Sequence, residues 1–481
     1  MPSVTQLFLP FLLGNLASAS PASERSIASV SIDTGTKYQE IDGFGCSQAF
    51  QRAEDVFGKY GLPKVNQTFV LDLLFDKEVG AGFTILRNGI GSSNTSTSNL
   101  MNSIEPYSPG SPSAKPKYVW DGYDSGQFPL AQEAYARGLH SFYSNAWSAP
   151  GYMKTNLDEN YGGYLCGVTN TSCASGDWMQ AYANYLVQYI RFYELHEVDV
   201  THLGFLNEPQ LAPTYASMLS DGTQAADFIR VLAKTVKEAG LDVKLTCCDA
   251  MGWDLQKEML PGLKAGPDPA INYLSVITAH GYDSAPTYPF DTDLKVWESE
   301  WADLTGAFTP YTFFENGSEG EGMTWARRIQ VALTDANVSA FLYWIGAENS
   351  TTNSGLINMI DTEVIPSKRF WAFAQFSRFV RPGARRVSAL SSQDAVTASA
   401  FVNSDGVLAA QLINNGTQAY SFKLRVQGLE SGDYLRPYIT DNQHDIEPLS
   451  LLKVNGNGQV SGSIPARSML SLVSTSSHKR R

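Results

Sequence analysis

The sequence predicts an α/β protein followed by an all-β region, and two observations lead to this prediction. Between residues 40 and 378 short apolar segments alternate with long amphipathic ones, the pattern of repeated βα units and hence of parallel strands. From about Phe379 onward the segments are short, alternate with period two and are joined by turns rich in Asn, Asp and Gly, which is typical of antiparallel hairpins. We therefore expect a parallel barrel and then an antiparallel β-domain over residues 379–481.

The first region contains eight candidate strands. In chain order they are Glu40–Ser47, Thr84–Asn88, Ser141–Asn145, Thr201–Asn207, Lys244–Asp249, Ser275–His280, Lys295–Ser299 and Ala340–Trp344. Helical periodicity lies between several of them, most clearly in Asp177–Glu197, Ala225–Ala239 and Met323–Asp335. Eight βα units predict a closed (β/α)8 TIM barrel over residues 40–378. The rival, an open doubly wound sheet, lacks its Gly-x-Gly-x-x-Gly turn after the first strand.

The all-β region has its own signals. Three short alternating segments, Val396–Val402, Val407–Ile413 and Tyr420–Val426, are separated by Ser404-Asp405-Gly406 and Asn414-Asn415-Gly416, which predict hairpin turns. Residues 20–39 precede the barrel and also alternate, so we expect them to supply an N-terminal strand to the β-domain.

The beginning of the sequence resembles a targeting segment. Ten mostly apolar residues, Leu7–Leu16, are followed by Ala17-Ser18-Ala19, a small-x-small cleavage signal after a stretch too short to cross a bilayer. We expect residues 1–19 to be a signal peptide and the mature chain to be secreted, extracellular and without a membrane span. Asn-x-Ser/Thr sequons agree with export and lie at Asn66, Asn94, Asn170, Asn316, Asn337, Asn349 and Asn415.

Five cysteines are present. Cys166 and Cys173 bracket a polar loop, so we expect a short disulfide between them in an oxidising compartment. Cys46, Cys247 and Cys248 leave an odd number, for which two or three buried thiols is the simplest interpretation. No Cys/His spacing resembles a zinc site, and we expect neither a metal nor a cofactor.

The charge balance excludes one class of partner. Lys and Arg number 35 against 48 Asp and Glu, a formal net charge of −13, and a nucleic-acid binder would need a basic patch. A hydrophobic fraction of 43% is enough for large cores and excludes global disorder. We expect a monomer that binds no nucleic acid.

Two carboxylates are predicted at one rim of the barrel, where loops follow strands and active sites form. Asn207-Glu208-Pro209 ends the fourth strand, and Trp297-Glu298-Ser299-Glu300 ends the seventh. A pair of carboxylates is what glycosidic cleavage requires: one protonates the departing oxygen, and the other attacks the anomeric carbon or activates water. The alternative is that each is an ordinary solvated loop carboxylate.

Ordered motifs sharpen this interpretation. They are Ile41-Asp42-Gly43-Phe44-Gly45, Leu86-Arg87, Trp147-Ser148-Ala149-Pro150 with Met153-Lys154-Thr155-Asn156, Asn207-Glu208-Pro209, His280-Gly281-Tyr282, Ser299-Glu300 and Phe379-Val380-Arg381-Pro382-Gly383. Together they resemble glycoside hydrolase family 30, whose fold is a TIM barrel with a side β-sandwich. The forms SNAWSAPGYMKTN and GFLNEPQ, with Cys166 and Cys173, are most similar to the fungal xylanase and glucuronoxylanase subfamily, subfamily 7. Gly45-Cys46 departs from the family's usual Gly-Gly, which affects only local packing.

The resemblance implies a retaining double displacement with Glu208 as general acid/base and Glu300 as nucleophile, their carboxyls about 5 Å apart. In a regular strand Glu298 and Glu300 point to the same side, so Glu300 is favoured only because it lies nearer the rim. Asn207 would bind the sugar 2-hydroxyl, or simply cap its strand. Arg87 would lie beside Glu300 and favour its ionised form; the alternative is a structural ion pair with Glu298 or Asp42.

The resemblance also assigns substrate contacts. Trp147 and Trp344 would stack on sugar rings, although either could belong to the core. Tyr282 would hydrogen-bond the nucleophile, and His280 would contact the substrate or be an ordinary satisfied histidine. Arg52, in the loop after the first strand, would pair with the carboxylate of a glucuronic acid branch, or be a solvated surface arginine.

We therefore expect a secreted retaining glycoside hydrolase that cleaves β-1,4-xylosidic bonds in xylan, with a preference for glucuronoxylan; the choice between endo action and xylobiohydrolase action is left open. The alternative enzyme is a β-1,6-glucanase or another β-glycanase of the same family. The alternative from another class is a non-catalytic extracellular carbohydrate-binding protein with an inactive barrel.

Overall fold

The computed structural model describes residues 26–58, 61–94 and 101–475. The expected signal peptide, residues 1–19, lies outside the described residues. The helices are α1 (Arg52–Phe57), α2 (Lys64–Phe75), α3 (Gln127–Ala136), α4 (Met179–Glu194), α5 (Gly222–Ala239), α6 (Trp253–Lys264), α7 (Gly322–Thr334) and α8 (Lys368–Ser377).

The strands fall into two sheets. Those of the first are β2 (Gly43–Ser47), β3 (Ile85–Ile90), β4 (Ser141–Ala146), β5 (His202–Gly204), β6 (Lys244–Ala250), β7 (Val276–His280), β8 (Lys295–Trp301), β9 (Ala340–Glu348), β10 (Gly355–Ile360) and β11 (Glu363–Pro366). Those of the second are β1 (Ile27–Glu40), β12 (Arg385–Ser391), β13 (Val396–Val402), β14 (Leu408–Asn414), β15 (Tyr420–Val426), β16 (Tyr434–Thr440), β17 (Glu447–Pro448), β18 (Leu452–Lys453), β19 (Gln459–Ile464) and β20 (Ser468–Ser474).

Strands β2 to β9 form a closed parallel barrel. Each pairs with the next in chain order, and β9 pairs back with β2 through the register Gly43 to Ala340. All eight strands predicted from the sequence are present, and the α/β barrel fold is confirmed. The hairpin of β10 and β11 extends the sheet beyond β9 and was not predicted.

The helices cover the outside of the barrel, and the main core lies between the two layers. Helix α5 illustrates why these segments are helical: the Asp221 carboxylate accepts from the amides of Thr223 and Gln224, and the Gln224 side chain returns a bond to the Asp221 amide, a capping box. The helix ends at Gly240, whose φ of 68° suits a glycine. One connection differs, because residues 281–294 join β7 to β8 without an α-helix.

The barrel interior is divided into two layers. Its lower layer is a small apolar cluster of side chains from five strands: Ile85, Tyr143, Val276, Trp297, Ala340 and Leu342. The upper layer, at the carboxyl ends of the strands, is charged, as described below. Filling the lower layer closes the barrel to water and supports the charged layer above it.

The second sheet has the order β17-β16-β20-β14-β13-β12-β1-β15-β19, with β18 beside β16. Strand β1 pairs antiparallel with β12 and parallel with β15, so the first described strand lies among strands from the end of the chain. A second apolar core, which includes Val30, Leu412 and Leu424, lies within this sheet. The antiparallel β-domain predicted beside the barrel is therefore present.

The cysteines pair differently from the expectation in one respect. Cys166 and Cys173 form the expected disulfide, with Cα atoms 5.6 Å apart. Cys247 and Cys248 form a disulfide between adjacent residues, so the interpretation of both as buried thiols was wrong. Only Cys46 remains a free, buried thiol among the described cysteines. Within the described part of the chain, no helix combines the length and apolar character that a membrane span requires.

Candidate active site

The carboxyl ends of five barrel strands bring a charged group of side chains together. Arg87 lies on β3, Asp249 on β6, His280 ends β7 and Glu300 lies near the end of β8, while Glu208 is in the loop after β5. All five are buried. A carboxylate oxygen of Glu208, one of Glu300 and a ring nitrogen of His280 lie within 4.8 Å of one another.

The Glu300 carboxylate is surrounded by hydrogen-bond donors. Arg87 Nη1 donates to Oε2, the Tyr282 hydroxyl donates to Oε1 at 3.0 Å, and His280 Nε2 lies 3.7 Å from Oε2. Burial raises the pKa of Glu300 above its ordinary value, and the charges of His280 and Arg87 offset this rise only in part. Donors on both oxygens fix the orientation of the carboxylate and stabilise its ionised form.

Arg87 has none of the alternative partners considered from the sequence. Its Nη2 donates to Asn207 Oδ1 at 2.7 Å and to Asp249 Oδ1 at 3.3 Å. Asp42 instead accepts hydrogen bonds from Lys295 and from the Trp297 indole. Arg87 therefore ties Asn207 to Glu300. Because it occupies the amide oxygen of Asn207, the amide NH2 group is the part of that side chain left to face a sugar hydroxyl.

His280 bridges two carboxylates. Its Nδ1 lies 3.1 Å from Glu208 Oε1 and its Nε2 lies 3.3 Å from Asp249 Oδ1. Burial alone would lower the pKa of His280, but the negative charges of Glu300 and Glu208 and the hydrogen bond to Asp249 raise it to about 10. This raised pKa favours the imidazolium form of the ring at neutral pH.

A β-bulge decides which glutamate of β8 reaches the site. Register with β7 runs Ala279 to Glu298 and then His280 to Glu300, so β8 contains one extra residue at this point. Trp297 belongs to the interior cluster and the Ser299 hydroxyl bonds Asp249, which leaves Glu298 on the outward face. The expectation that Glu298 and Glu300 share a side was wrong, because the bulge re-aims Glu300 inward.

Glu298 is fully buried in the layer between barrel and helices. Among the described residues neither of its carboxyl oxygens has a hydrogen-bond partner of good geometry. Burial raises its pKa well above the ordinary value, and the charge of His280 and the backbone amides of Glu300 and Leu342 offset this only in part. A carboxyl that remains protonated without a donor pair cannot serve as the anionic nucleophile.

Asp249 was missed by the sequence reasoning. Its Oδ1 accepts from Ser299 Oγ at 2.7 Å and from Arg87, and its Oδ2 accepts from Thr278 Oγ1 at 2.7 Å and from the Tyr143 hydroxyl. Burial would raise the pKa of Asp249, but the charge of Arg87, the charge and hydrogen bond of His280 and the hydrogen bond of Tyr143 lower it to about 2. The available signal was its position as the last residue of a predicted strand, the same criterion that selected Asn207.

Three residues of the site hold left-handed backbone conformations. Phe50, Glu208 and Asp249 have φ values of 54°, 45° and 51°, which cost on the order of 1 kcal/mol or more each for non-glycine residues. The Glu208 amide donates to the Asp249 carbonyl at 2.8 Å. This bond fixes the turn that directs Glu208 toward the barrel axis.

An aromatic cluster forms one side of the site. Phe50 packs edge-on against Trp147, with ring centroids 5.2 Å apart, and also contacts Trp344 and Tyr215. The Arg87 guanidinium lies 4.5 Å from the Trp147 ring centroid. Trp147 is only 2% exposed whereas Trp344 is partly exposed, so Trp344 offers more ring surface to a sugar. Phe50 and Tyr215 gave no motif signal.

Arg52 begins α1 at the mouth of the barrel. Its Nε donates to Glu348 Oε2 at 3.1 Å and its Nη1 to the Phe50 carbonyl at 3.1 Å. Its side chain is 28% exposed and that of Glu348 is 3% exposed. The solvated-surface alternative does not describe this arginine, since two bonds orient it toward the rim.

A metal ion is another conceivable occupant of this group of side chains. Glu208, His280 and Glu300 have the spacing of a three-ligand cluster, but a histidine that binds a metal must be neutral. The neighbouring carboxylates raise the pKa of His280 to about 10, which disfavours the neutral ring, and the Arg87 cation already contacts Glu300. The donor set therefore suits proton transfer and nucleophilic attack better than a divalent cation.

A buried lysine joins the two loops that border Glu208. Lys154 Nζ, in the loop after β4, donates to the Ser217 carbonyl at 2.6 Å and to the Glu159 carbonyl at 3.1 Å. Burial lowers its pKa to about 7. The loop that contains the Cys166–Cys173 disulfide is thereby fixed against the loop that follows Glu208.

Comparisons with known proteins agree with this geometry. The family model described as O-Glycosyl hydrolase family 30 matches residues 27–262, and that described as Glycosyl hydrolase family 30 beta sandwich domain matches residues 383–472. The chain is 43% identical to the catalytic domain of GH30 xylanase C from Talaromyces cellulolyticus; the match covers 93% of this chain and 100% of that one, with a TM-score of 0.86.

More distant curated relatives carry other names. An endo-1,6-beta-D-glucanase of Trichoderma harzianum is 26% identical over 399 residues, 78% of this chain and 77% of that protein. A glucuronoxylanase of Bacillus subtilis is 20% identical over 343 residues, 69% of this chain and 73% of that protein. The two matched family models and the similarity to a solved member over almost the whole chain lead to one conclusion: the protein belongs to glycoside hydrolase family 30.

Proposed function

We propose that this glycoside hydrolase is a retaining xylanase that cleaves β-1,4-xylosidic bonds and prefers glucuronoxylan. The observation that carries the choice of xylan is the 43% identity to a xylanase over 93% of the chain. Relatives named as β-1,6-glucanases are only 22 to 26% identical. The greater similarity to the xylanase supports xylan as the substrate.

The spacing of the carboxylates supports retention. Oxygens of Glu208 and Glu300 lie within 4.8 Å, close to the ~5–5.5 Å of retaining enzymes and short of the ~6.5–9.5 Å that leaves room for an attacking water. Glu300 attacks the anomeric carbon as Glu208 gives its proton to the departing oxygen. Glu208 then takes a proton from water, which releases the sugar with its original anomeric configuration.

The neighbours of these carboxylates support the assigned roles. Arg87 and Tyr282 donate to Glu300, which favours its ionised form and fixes its orientation. In this proposal Asn207, which accepts a hydrogen bond from the same arginine, donates to the 2-hydroxyl, an interaction that strengthens in the transition state. Trp344 supplies an apolar face for a xylose ring.

Arg52 is proposed to contact the glucuronic acid branch. Glu348 neutralises part of its charge, but the guanidinium remains partly exposed, and its Nη2 has no hydrogen-bond partner among the residues that the structure describes. The protein as a whole carries −13, so an acidic branch requires a local cation of this kind.

Secretion and glycosylation also belong to the proposal. Of the seven sequon asparagines, five are exposed and the other two, Asn66 and Asn415, are half-buried, so all lie where a glycan can be carried. Together with the apolar N-terminal segment and the disulfides, this supports an extracellular protein that acts on a polysaccharide.

One assay separates the candidate functions. The purified protein is incubated with beechwood-type glucuronoxylan, laminarin and pustulan, and reducing sugar is measured. We expect release from xylan only, and proton NMR of the first product should report the β anomer. Release from pustulan alone would identify a β-1,6-glucanase, the function named for several relatives. No release from any polymer would favour a non-catalytic binding protein.

A further inference from the structure

Asp249 lies at the centre of the charged layer. None of its hydrogen bonds is to the carboxylate of Glu208 or Glu300. It receives hydrogen bonds from Arg87, His280, Ser299, Thr278 and Tyr143. Five donors from four strands on one fully buried carboxylate are more than a neutral carboxyl could accept. The group is therefore an anion fixed among its donors.

The hydrogen bond between His280 and Glu208 fits two arrangements of protons, which differ in where the proton of the general acid lies. His280 Nδ1 faces Glu208 Oε1, and either atom could carry the shared proton. A neutral ring would accept the proton of Glu208, so that the acid's proton would point at His280 and away from the substrate. An imidazolium would instead donate to Oε1, and the proton of Glu208 would reside on Oε2.

His280 Nε2 faces Asp249 Oδ1 at 3.3 Å, an oxygen that can only accept, so Nε2 carries a proton in both arrangements. The two arrangements differ in the charge of the ring, and the carboxylates of Asp249 at 3.3 Å and Glu300 at 3.7 Å from Nε2 favour the imidazolium. We propose that Asp249 is a positioning residue that keeps His280 doubly protonated between itself and Glu208, and thereby directs the acid's proton to the oxygen that faces the glycosidic bond. The inference rests on the proposed role of Glu208 but not on the identity of the polysaccharide.

The bond changes follow from this arrangement. In the first step Glu208 Oε2 transfers its proton to the departing oxygen, the glycosidic C–O bond breaks, and Glu300 forms an ester bond with the anomeric carbon. The new Glu208 carboxylate keeps the N–H of His280 on Oε1. In the second step Oε2 takes a proton from water as the ester is cleaved, while His280 retains both of its protons throughout.

The charges around His280 come from every neighbouring element. The ionisable or polar groups that face it or its carboxylate partners are Arg87 from β3, Tyr143 from β4, Glu208 after β5, Asp249 from β6, Tyr282 after β7, and Glu298 and Glu300 from β8. Removal of Asp249 removes the anion at Nε2, while Glu300 and Glu208 remain. We therefore expect the protonation of His280 to weaken rather than disappear.

The wild-type protein provides the first test. The chain contains six histidines, and nitrogen NMR of 15N-histidine-labelled protein distinguishes an imidazolium from either neutral tautomer. The His280 signals are identified by their loss in His280→Gln. We expect both ring nitrogens protonated from pH 6 to pH 9, with a midpoint pKa of about 10. A neutral His280 at pH 7 would overturn the proposal without any Asp249 variant.

The second test compares Asp249→Asn with Thr278→Val, which removes one uncharged donor to the same carboxylate. In Asp249→Asn we expect the His280 midpoint to fall by about one unit or more. Hydrolysis of an oligosaccharide should drop about 100-fold, whereas its nitrophenyl glycoside, which needs little acid assistance, should lose much less. Thr278→Val should leave the midpoint unchanged and lose less than about ten-fold on both substrates.

The outcomes separate the inference from the proposed function. An unchanged midpoint in Asp249→Asn, or equal losses on both substrates, would reduce Asp249 to a structural residue. If Asp249→Asn does not fold, the wild-type spectrum alone decides. If the wild-type protein cleaves no glycoside, the proposed function fails, while the NMR result still reports whether Asp249 holds an imidazolium.

Discussion

The two faces of strand β8 place glutamates in opposite environments. On the inner face, Glu300 is met by Arg87, Tyr282 and His280. On the outer face, two residues earlier, Glu298 has no hydrogen-bond partner of good geometry among the described residues, and the charge of His280 offsets the effect of burial on its pKa only in part. Both groups are buried, so burial alone does not distinguish a reactive carboxylate from an inert one.

The comparison shows that compensation for burial determines what a carboxyl can do. Removing a carboxylate from water is costly unless cations or hydrogen bonds replace the solvent. The inner face supplies both, whereas at the outer face the charge of His280 and two backbone amides still leave the pKa of Glu298 well above its ordinary value. A single extra residue in β8 separates the two outcomes, because it turns Glu300 toward the cations.

The largest expected effect comes from removing the inner carboxylate. Glu300→Gly should lose hydrolysis by several decades, because no group remains to attack the anomeric carbon. Azide, placed in the vacated space, should restore turnover and give a glycosyl azide of inverted configuration, detected by NMR. Glu298→Gly is the matched control and should need no rescue. If azide rescued the Glu298 variant and not the Glu300 variant, the nucleophile would be Glu298.

The next effect concerns the other carboxylate of the inner layer. Glu208→Ala should slow xylan cleavage by about 10²- to 10⁴-fold, the usual contribution of a general acid. Nitrophenyl xylosides, whose leaving group needs little protonation, should be slowed far less. The wild-type pH profile of kcat/KM should be bell-shaped, and the alkaline limb should disappear in the variant on the activated substrate. Equal losses on both substrates would show that Glu208 is not the acid.

A smaller effect is expected at the rim, where Arg52 is only partly buried. A charge-assisted bond to glucuronate contributes about 1.5 to 3 kcal/mol, or one to two decades in rate if it forms in the transition state. Arg52→Ala should therefore slow glucuronoxylan by that factor and leave linear xylooligosaccharides nearly unchanged. Arg52→Lys should recover only part of the loss, because an ammonium cannot make the paired contact. Equal slowing of both substrates would indicate a role in folding or in the common subsites.

The smallest effect is a gain in stability at the outer face. Because burial raises the pKa of Glu298, the folded protein keeps a proton that the unfolded chain releases above about pH 4.5. Stability is therefore lost as the pH rises through that value. Glu298→Gln removes this penalty, so its melting temperature should exceed that of the wild type by a few degrees at pH 7 and match it near pH 4. A difference independent of pH would show that packing, not ionisation, is responsible.

The barrel could be predicted from the sequence because the period of the apolar residues and the turn residues are local signals. Strands such as Ser141–Ala146 and Lys244–Ala250 agree with prediction to within one residue. Glu208 was found because its strand ends at the rim, and Glu300 because the family motif and its position near the rim selected it where alternation could not.

The features that the sequence did not predict depend on how distant segments of the chain are paired and packed. The bulge at Ser299 arises from pairing with both neighbouring strands. No residue of Trp297-Glu298-Ser299-Glu300 predicts it. Asp249 ended a predicted strand but belonged to no recognised motif, and its importance appears only when Arg87 and His280 meet it in space. The Cys247–Cys248 disulfide was not predicted either, because two adjacent cysteines can also be two free thiols.

Strand β1 has a consequence for the order in which the chain folds. It is made first, yet its partners in the second sheet include Ser421–Val426, which leave the ribosome on the order of 20 to 80 s later at ordinary elongation rates. During that interval its alternating apolar residues, Ala28, Val30 and Ile32, have no sheet to join while the barrel is completed. The β-domain is therefore completed last, and β1 remains an unpaired strand until its partner strands have been made.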